Sequence, residues 1–293
     1  MSSRAFPRYR SSGAVPIGGL TLGIAAGAAA AIALSVMYAY ATIYIPFVQI
    51  EFLITMGFGA AIGGATAATM DRLHVRARWV IVASAIALGL LGWAFSWLPW
   101  LYAMYDVELG VLVHPLFIAS AIAEVYEVGT WSLGRGDAMT GVALGAVWLG
   151  EMLVIVGCSL AVGMALTKDR VFCERCERWC DLDENHRLFG MEHEDVLRRA
   201  LMEDGDVTPL ASIPILPATN HFLAMKLATC TQCQETHAIA VDEVAIVPDG
   251  RGHSQTKRKE KIPFLVLRGS ELAELRARLD ERRALHEQEK LSA

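Results

Sequence analysis

The chain has 293 residues, 54% of them apolar, with a formal net charge of −5 and a mean hydropathy of +0.38. Its charge is segregated: residues 11–166 hold twelve Asp, Glu, Lys or Arg, and residues 167–293 hold 42. The first stretch is too apolar for a water-soluble fold and the second is ordinary for one, which excludes a single soluble globular domain and a disordered chain.

In chain order, residues 1–15 form a short basic segment with Arg4, Arg8 and Arg10, expected on the cytoplasmic side. Residues 16–166 form a transmembrane helical domain. A span needs about 20 mostly apolar residues. The uninterrupted apolar run from Gly18 is too long for one span and breaks at Tyr44-Ile45-Pro46, where proline removes a donor and disfavours helix before it. The pattern predicts spans over Pro16–Ile43, Phe47–Met70, Trp79–Leu98 (stopped by Pro99) and Gly141–Leu166. The first apolar run outlasts a signal-peptide core of about 7–15 residues, so it reads as a retained span. Leu112–Leu133 is also apolar but carries His114, Glu124 and Glu127, costly at mid-bilayer. It is expected as an interfacial amphipathic helix. Basic clusters before the first span, between the second and third (Arg72, Arg76, Arg78) and after the last (Lys168, Arg170) then share one side, cytoplasmic by the positive-inside rule. Tyr38, Tyr40, Tyr44, Trp93, Trp97, Trp100, Tyr102 and Tyr105 gather toward the outer interface.

Two carboxylates stand out in the spans. Glu151 lies ten residues into the last one, about 15 Å deep, and Glu51 lies near the start of the second. An ionisable group inside a membrane is a functional candidate by default, here to carry a proton or cation or to accept a hydrogen bond across the bundle; Trp148, Ile155 and Cys158 share the face of Glu151 at helical spacing. Gly23-x3-Gly27, Gly59-x3-Gly63 and Gly141-x3-Gly145 permit close helix approach.

Residues 167–270 read as a compact domain. Cys173-Glu-Arg-Cys176 and Cys230-Thr-Gln-Cys233 are two C-x2-C pairs. Each tight turn presents two thiolates, and two turns complete the four ligands of a tetrahedral zinc. In a cytoplasmic, reducing setting a metal is favoured over disulfides. The pattern resembles a zinc ribbon, with Zn as a structural cofactor held by Cys173, Cys176, Cys230 and Cys233. The gap between the pairs is long for a compact ribbon. It is filled by a helix over Glu192–Glu203 (Val196, Leu197, Ala200 and Leu201 on one face) and by a loop punctuated by Pro209, Pro214 and Pro217. Strands are expected over His221–Thr229, His237–Val247 and Ile262–Arg268, with Pro248–Lys261 as a connecting loop. Cys180, His186, His193 and His237 are alternative ligands. Cys158 reads as a packing residue in the last span. Residues 271–293 form a final helix capped by Ser270.

The expected fold class is therefore an α-helical membrane bundle, four transmembrane helices plus one interfacial helix, followed by a small α+β zinc-ribbon-like domain. The layout resembles bacterial polytopic membrane proteins with a cytoplasmic zinc-ribbon tail, a grouping that implies no particular activity. Four closed thiolates leave no open coordination position for hydrolysis, and no nucleophile–base motif accompanies them. The reading is a membrane anchor or scaffold in the plasma membrane, both termini cytoplasmic, with the lipid bilayer and a cytoplasmic protein as partners. The alternative is a small transporter or channel subunit using Glu151 and Glu51. The carboxyl-terminal half carries 23 acidic and 19 basic residues, so nucleic acid is not an expected partner.

Overall fold

The structure, a computed structural model, describes residues 5–45, 47–129, 138–167, 170–213, 220–233, 235–248 and 254–278. The chain divides into two compact units, a membrane unit of Ser12–Lys168 and a cysteine unit of Met1–Ser11 with Asp169–Ala293.

Among the described residues, four helices of the membrane unit are long and apolar enough to cross a membrane. They are α1 (Ile17–Tyr44), α2 (Val48–Arg72), α3 (Arg78–Tyr105) and, after the single turn α4 (Leu109–Leu112) and the short α5 (Pro115–Val128), α6 (Gly141–Leu166). Their directions follow from which residues meet. Gly19, Gly23 and Gly27 of α1 abut Leu73, Met70 and Thr66, so α1 and α2 are antiparallel. Gly59 and Gly63 of α2 lie against the backbone of Ile155 and Ser159, so α2 and α6 are parallel. Gly89 abuts Val156, and the Ser159 hydroxyl donates to the Ala85 carbonyl at 2.9 Å, so α3 runs against α6. The result is an up-down-up-down bundle with the start of α1 and the end of α6 at one end. The α2–α6 approach is the tightest kind: a β-carbon at Gly59 or Gly63 would sit 2.3 or 2.1 Å from a carbonyl oxygen of α6. Bare glycine lets the two backbones touch, which stands in for hydrophobic driving force where lipid is as apolar as leucine.

One expectation for this unit is corrected. Pro99 does not end the third span; α3 passes through it to Tyr105 and is closed by Asp106 in the left-handed region. A proline costs a helix one hydrogen bond, which neighbouring packing can offset inside a bundle, and Leu101 just beyond it is fully buried. Within the Leu112–Leu133 segment, the described residues form the 14-residue α5, which starts after His114 and ends at Gly129 with φ 76°. That is about 21 Å long, short of the bilayer's hydrocarbon. Arg135 and the rest of 130–137 lie outside the described residues.

In the cysteine unit β1 (Phe172–Cys173) and β2 (Arg178–Trp179) form a small hairpin, while β3 (Asp181–Phe189), β4 (His221–Thr229), β5 (His237–Pro248) and β6 (Ser254–Leu267) form an antiparallel sheet in sequence order. The strand β3 was not expected, because Asp-Leu-Asp-Glu-Asn-His-Arg-Leu-Phe has little β character. Its pairing with β4, from Asp181↔Thr229 to Phe189↔Leu223 across a bulge, overrides propensity. The expected loop over Pro248–Lys261 is largely strand: β6 begins at Ser254 and sets Lys259 opposite Glu243. Opposite charges across the pair favour that register, and Lys261 joins Glu243 at 3.2 Å and Glu194 at 3.0 Å.

Between β3 and β4 the insertion is helical, as a 3-10 turn (Met191–His193), α7 (Glu194–Arg199) and a π turn (Ala200–Asp204), followed by α8 (Thr208–Ser212). Leu197, Ala200 and Leu201 are buried, but Val196 is half exposed at the edge of that stripe. Pro209 opens α8 rather than breaking a loop, where its missing N–H costs nothing. Pro214 and Pro217 lie outside the described residues. The core over the sheet contains Leu197, Leu201, Leu210, Leu223, Met225, Ile239 and Leu265.

Both ends of the chain join this core. Phe6 is buried in it; the Val266 N–H donates to Pro7 at 2.8 Å, and the Tyr9 N–H donates to Phe264 at 2.7 Å. Residues 7–9 are therefore an extended segment bridged antiparallel to the free edge of β6 at Arg8↔Leu265, although the sequence reads as a detached basic tail. Residues 269–278 are helical and bury Leu272 and Leu275. The turn that starts this helix is held by the Arg268 N–H donating to the Glu271 carboxylate at 2.6 Å, not by Ser270. Leu279 and Leu285 lie outside the described residues.

Candidate metal centre

The two C-x2-C turns are placed by the sheet. Cys173 ends β1, and the turn to β2 closes with Glu177 at φ 48°, a left-handed conformation that sharpens the first knuckle. The second knuckle joins β4 to β5, where the Cys230 N–H donates to the Thr236 carbonyl at 3.0 Å. The pairing of β3 with β4, which sets Asp181 opposite Thr229, thus brings together turns that are far apart in sequence. The sulfurs of Cys173, Cys176, Cys230 and Cys233 all lie within 4.8 Å of one another, with Cys173 and Cys233 3.5 Å apart. Zinc–sulfur bonds of about 2.3 Å in a tetrahedron need sulfurs about 3.8 Å apart, so the cluster fits the ion. A disulfide needs about 2.05 Å, and all six cysteines are free thiols.

The surroundings are divided. Cys173 and Cys230 are buried against Val171, Ala228, Ala238 and Phe264, while Cys176 and Cys233 are partly exposed. Two contacts cross between the knuckles. The Thr236 hydroxyl donates to the Cys173 sulfur at 3.2 Å, and Arg175 forms an ion pair with Glu235 at the surface. The backbone N–H of Glu235 is the main cause that draws the Cys233 thiol down to about 6. Desolvation first, and then the neighbouring sulfurs, push Cys176 up to about 12. Metal ligation requires thiolates, and a divalent cation supplies the charge that stabilises several of them at close quarters.

Cys180 sits between β2 and β3, buried beside the cluster, its N–H donating to the Val171 carbonyl at 2.9 Å. Burial pushes its thiol up to about 12. It is not among the four converging sulfurs. His193 pairs with Glu192 at 3.5 Å, and His237 is buried at the start of β5; neither joins the cluster. The His186 side chain lies outside the described residues.

In the membrane unit Glu51 and Glu151 line one cavity of about 100 Å³ with Tyr38, Ser96, Trp97, Trp100 and Trp148. The Tyr38 hydroxyl donates to the Glu151 carboxylate and lies 3.1 Å from the Thr55 hydroxyl. Sequence reasoning singled out the two carboxylates and Trp148 beside Glu151, but grouped Tyr38, Trp97 and Trp100 with the interfacial aromatics and passed over Thr55.

Comparison with protein-family models, with curated proteins and with solved structures finds no match for this chain. Four helices apolar and long enough to cross a membrane suit a multi-pass membrane protein, and the four-cysteine cluster could hold a metal ion.

Proposed function

We propose that the chain is a non-enzymatic anchor or scaffold of the plasma membrane, with both termini cytoplasmic, whose cysteine unit is held in shape by one structural zinc and presents a docking surface to a protein partner. The convergence of four thiols within 4.8 Å carries this reading. A four-sulfur site has no position left for water, so its use is to tie distant turns together. Location rests on the basic clusters flanking the helices. The test is metal analysis of the full-length protein beside affinity capture from membranes. One zinc per chain is expected, and a captured partner should be lost in Cys230→Ser. Less than about half a zinc per chain, or capture indifferent to the cysteines, would reject it. A second reading, a small transporter or channel subunit, is favoured by one observation: Glu51 and Glu151 share a cavity.

A further inference from the structure

A carboxylate at hydrocarbon depth is costly unless it is paired or holds a positive charge. Glu151 lies about 15 Å along α6 from its start, and Glu51 lies in the first turn of the parallel helix α2. Both line the same cavity, in the half of the bundle remote from the start of α1. Among the described residues, no lysine, arginine or histidine lines it. The remaining wall mixes the hydroxyls of Tyr38, Thr42 and Ser96 with aromatic and aliphatic side chains. Trp97 packs edge-to-face on Trp100 at 5.9 Å and on Trp148 at 4.8 Å. Ala39, Val125 and Val147 complete it. Tyr38 donates to one oxygen of Glu151.

We propose that this cavity binds a small organic ammonium ion, held by the carboxylates of Glu51 and Glu151 and by the indoles of Trp97, Trp100 and Trp148. The inference deepens the transport reading by naming its ligand class, but it stands on the cavity alone. The chemistry selects the class. A calcium-like ion takes about 6–8 oxygen ligands, and this wall offers two carboxylates and a few hydroxyls among hydrocarbon. A methylated ammonium is weakly hydrated, suits indole faces and still demands a counter-charge. Size agrees: one water needs at least about 10–15 Å³, so about 100 Å³ admits a cation of a handful of heavy atoms.

The experiment uses the full-length protein in lipid nanodiscs, titrated with tetramethylammonium chloride and followed by tryptophan fluorescence and calorimetry. Neopentyl alcohol, similar in size and uncharged, is the comparison ligand, and sodium chloride controls for ionic strength. Saturable binding of the ammonium is expected, with at least a ten-fold loss of affinity in Glu151→Gln and a several-fold loss in Trp148→Leu that Trp148→Phe partly restores. If Glu151→Gln does not fold, Glu51→Gln carries the same expectation. Absence of saturable binding, equal binding of the alcohol, or unchanged affinity in both glutamine variants would overturn the site. Flux of the same ion through proteoliposomes is measured separately. Binding without flux keeps the site and rejects the transport reading.

Discussion

At the scale of single residues, the cysteine cluster separates ligands from bystanders. Cys173, Cys176, Cys230 and Cys233 converge, whereas Cys180 is buried beside them without joining. Cys230→Ser is therefore expected to remove most of the zinc from the purified chain, while Cys180→Ser leaves zinc content unchanged; elemental analysis distinguishes them. A finer expectation concerns Thr236, whose hydroxyl donates to the Cys173 sulfur. Hydrogen bonds to a ligand orient it, and losing one typically weakens metal affinity about ten-fold or more. Thr236→Val should keep one zinc per chain yet yield it to a competing chelator at correspondingly lower concentration. Equal chelator resistance in the two proteins would show that the hydroxyl is incidental. The convergence of these four sulfurs was legible in the sequence because C-x2-C spacing is itself the geometry of a knuckle. Thr236 and the Arg175–Glu235 pair were not, since each acts across the gap between knuckles, which the strand pairing of β3 with β4 closes.

At the scale of elements, legibility follows the source of stability. Long apolar helices are set by local composition, so α1, α2 and α6 were readable to within a residue or two, while α3 outran Pro99 because packing offset the lost bond. The charged β3 and the outer half of β6 exist through their partners, and no local pattern announces them. The glycine pair of α2 is a test of such packing. A β-carbon at Gly63 would meet the Ser159 carbonyl, whereas one at Gly57 on the same helix would meet nothing within 4 Å. Gly63→Ala should destabilise the bundle by about 2 kcal/mol through overpacking, and Gly57→Ala should be close to neutral. Thermal unfolding in detergent compares the two. The amino-terminal segment provides another test. Phe6 is buried in the core of the cysteine unit, so Phe6→Ala should cost about 3 kcal/mol there, visible as a lower unfolding midpoint of that unit. An isolated fragment beginning at residue 167 would lack this segment and should be less stable than the same unit in the full chain.

At the scale of the whole molecule, the amino-terminal segment also bears on how many times the chain crosses the bilayer. Residues 7–9 are hydrogen-bonded to β6, which follows α6 in the chain. The start of α1 and the end of α6 are thus tethered to one folded unit, and a folded unit occupies one side of a membrane. That requires an even number of crossings. The four long helices satisfy it, and a fifth crossing by α5 would violate it. The bundle gives the same answer independently, since α2 and α6 run parallel. Glu108 precedes α5 and Ala138 follows it, and both are exposed. Single cysteines at these two positions, in a chain whose six native cysteines are accounted for by blocking or replacement, should react alike with an impermeant thiol reagent added to intact cells. A cysteine replacing Lys257 on β6 should react only after the membrane is opened. Labelling of Glu108→Cys and Ala138→Cys from opposite sides would mean that α5 crosses, and it would then be impossible for residues 7–9 to pair with β6 of the same chain.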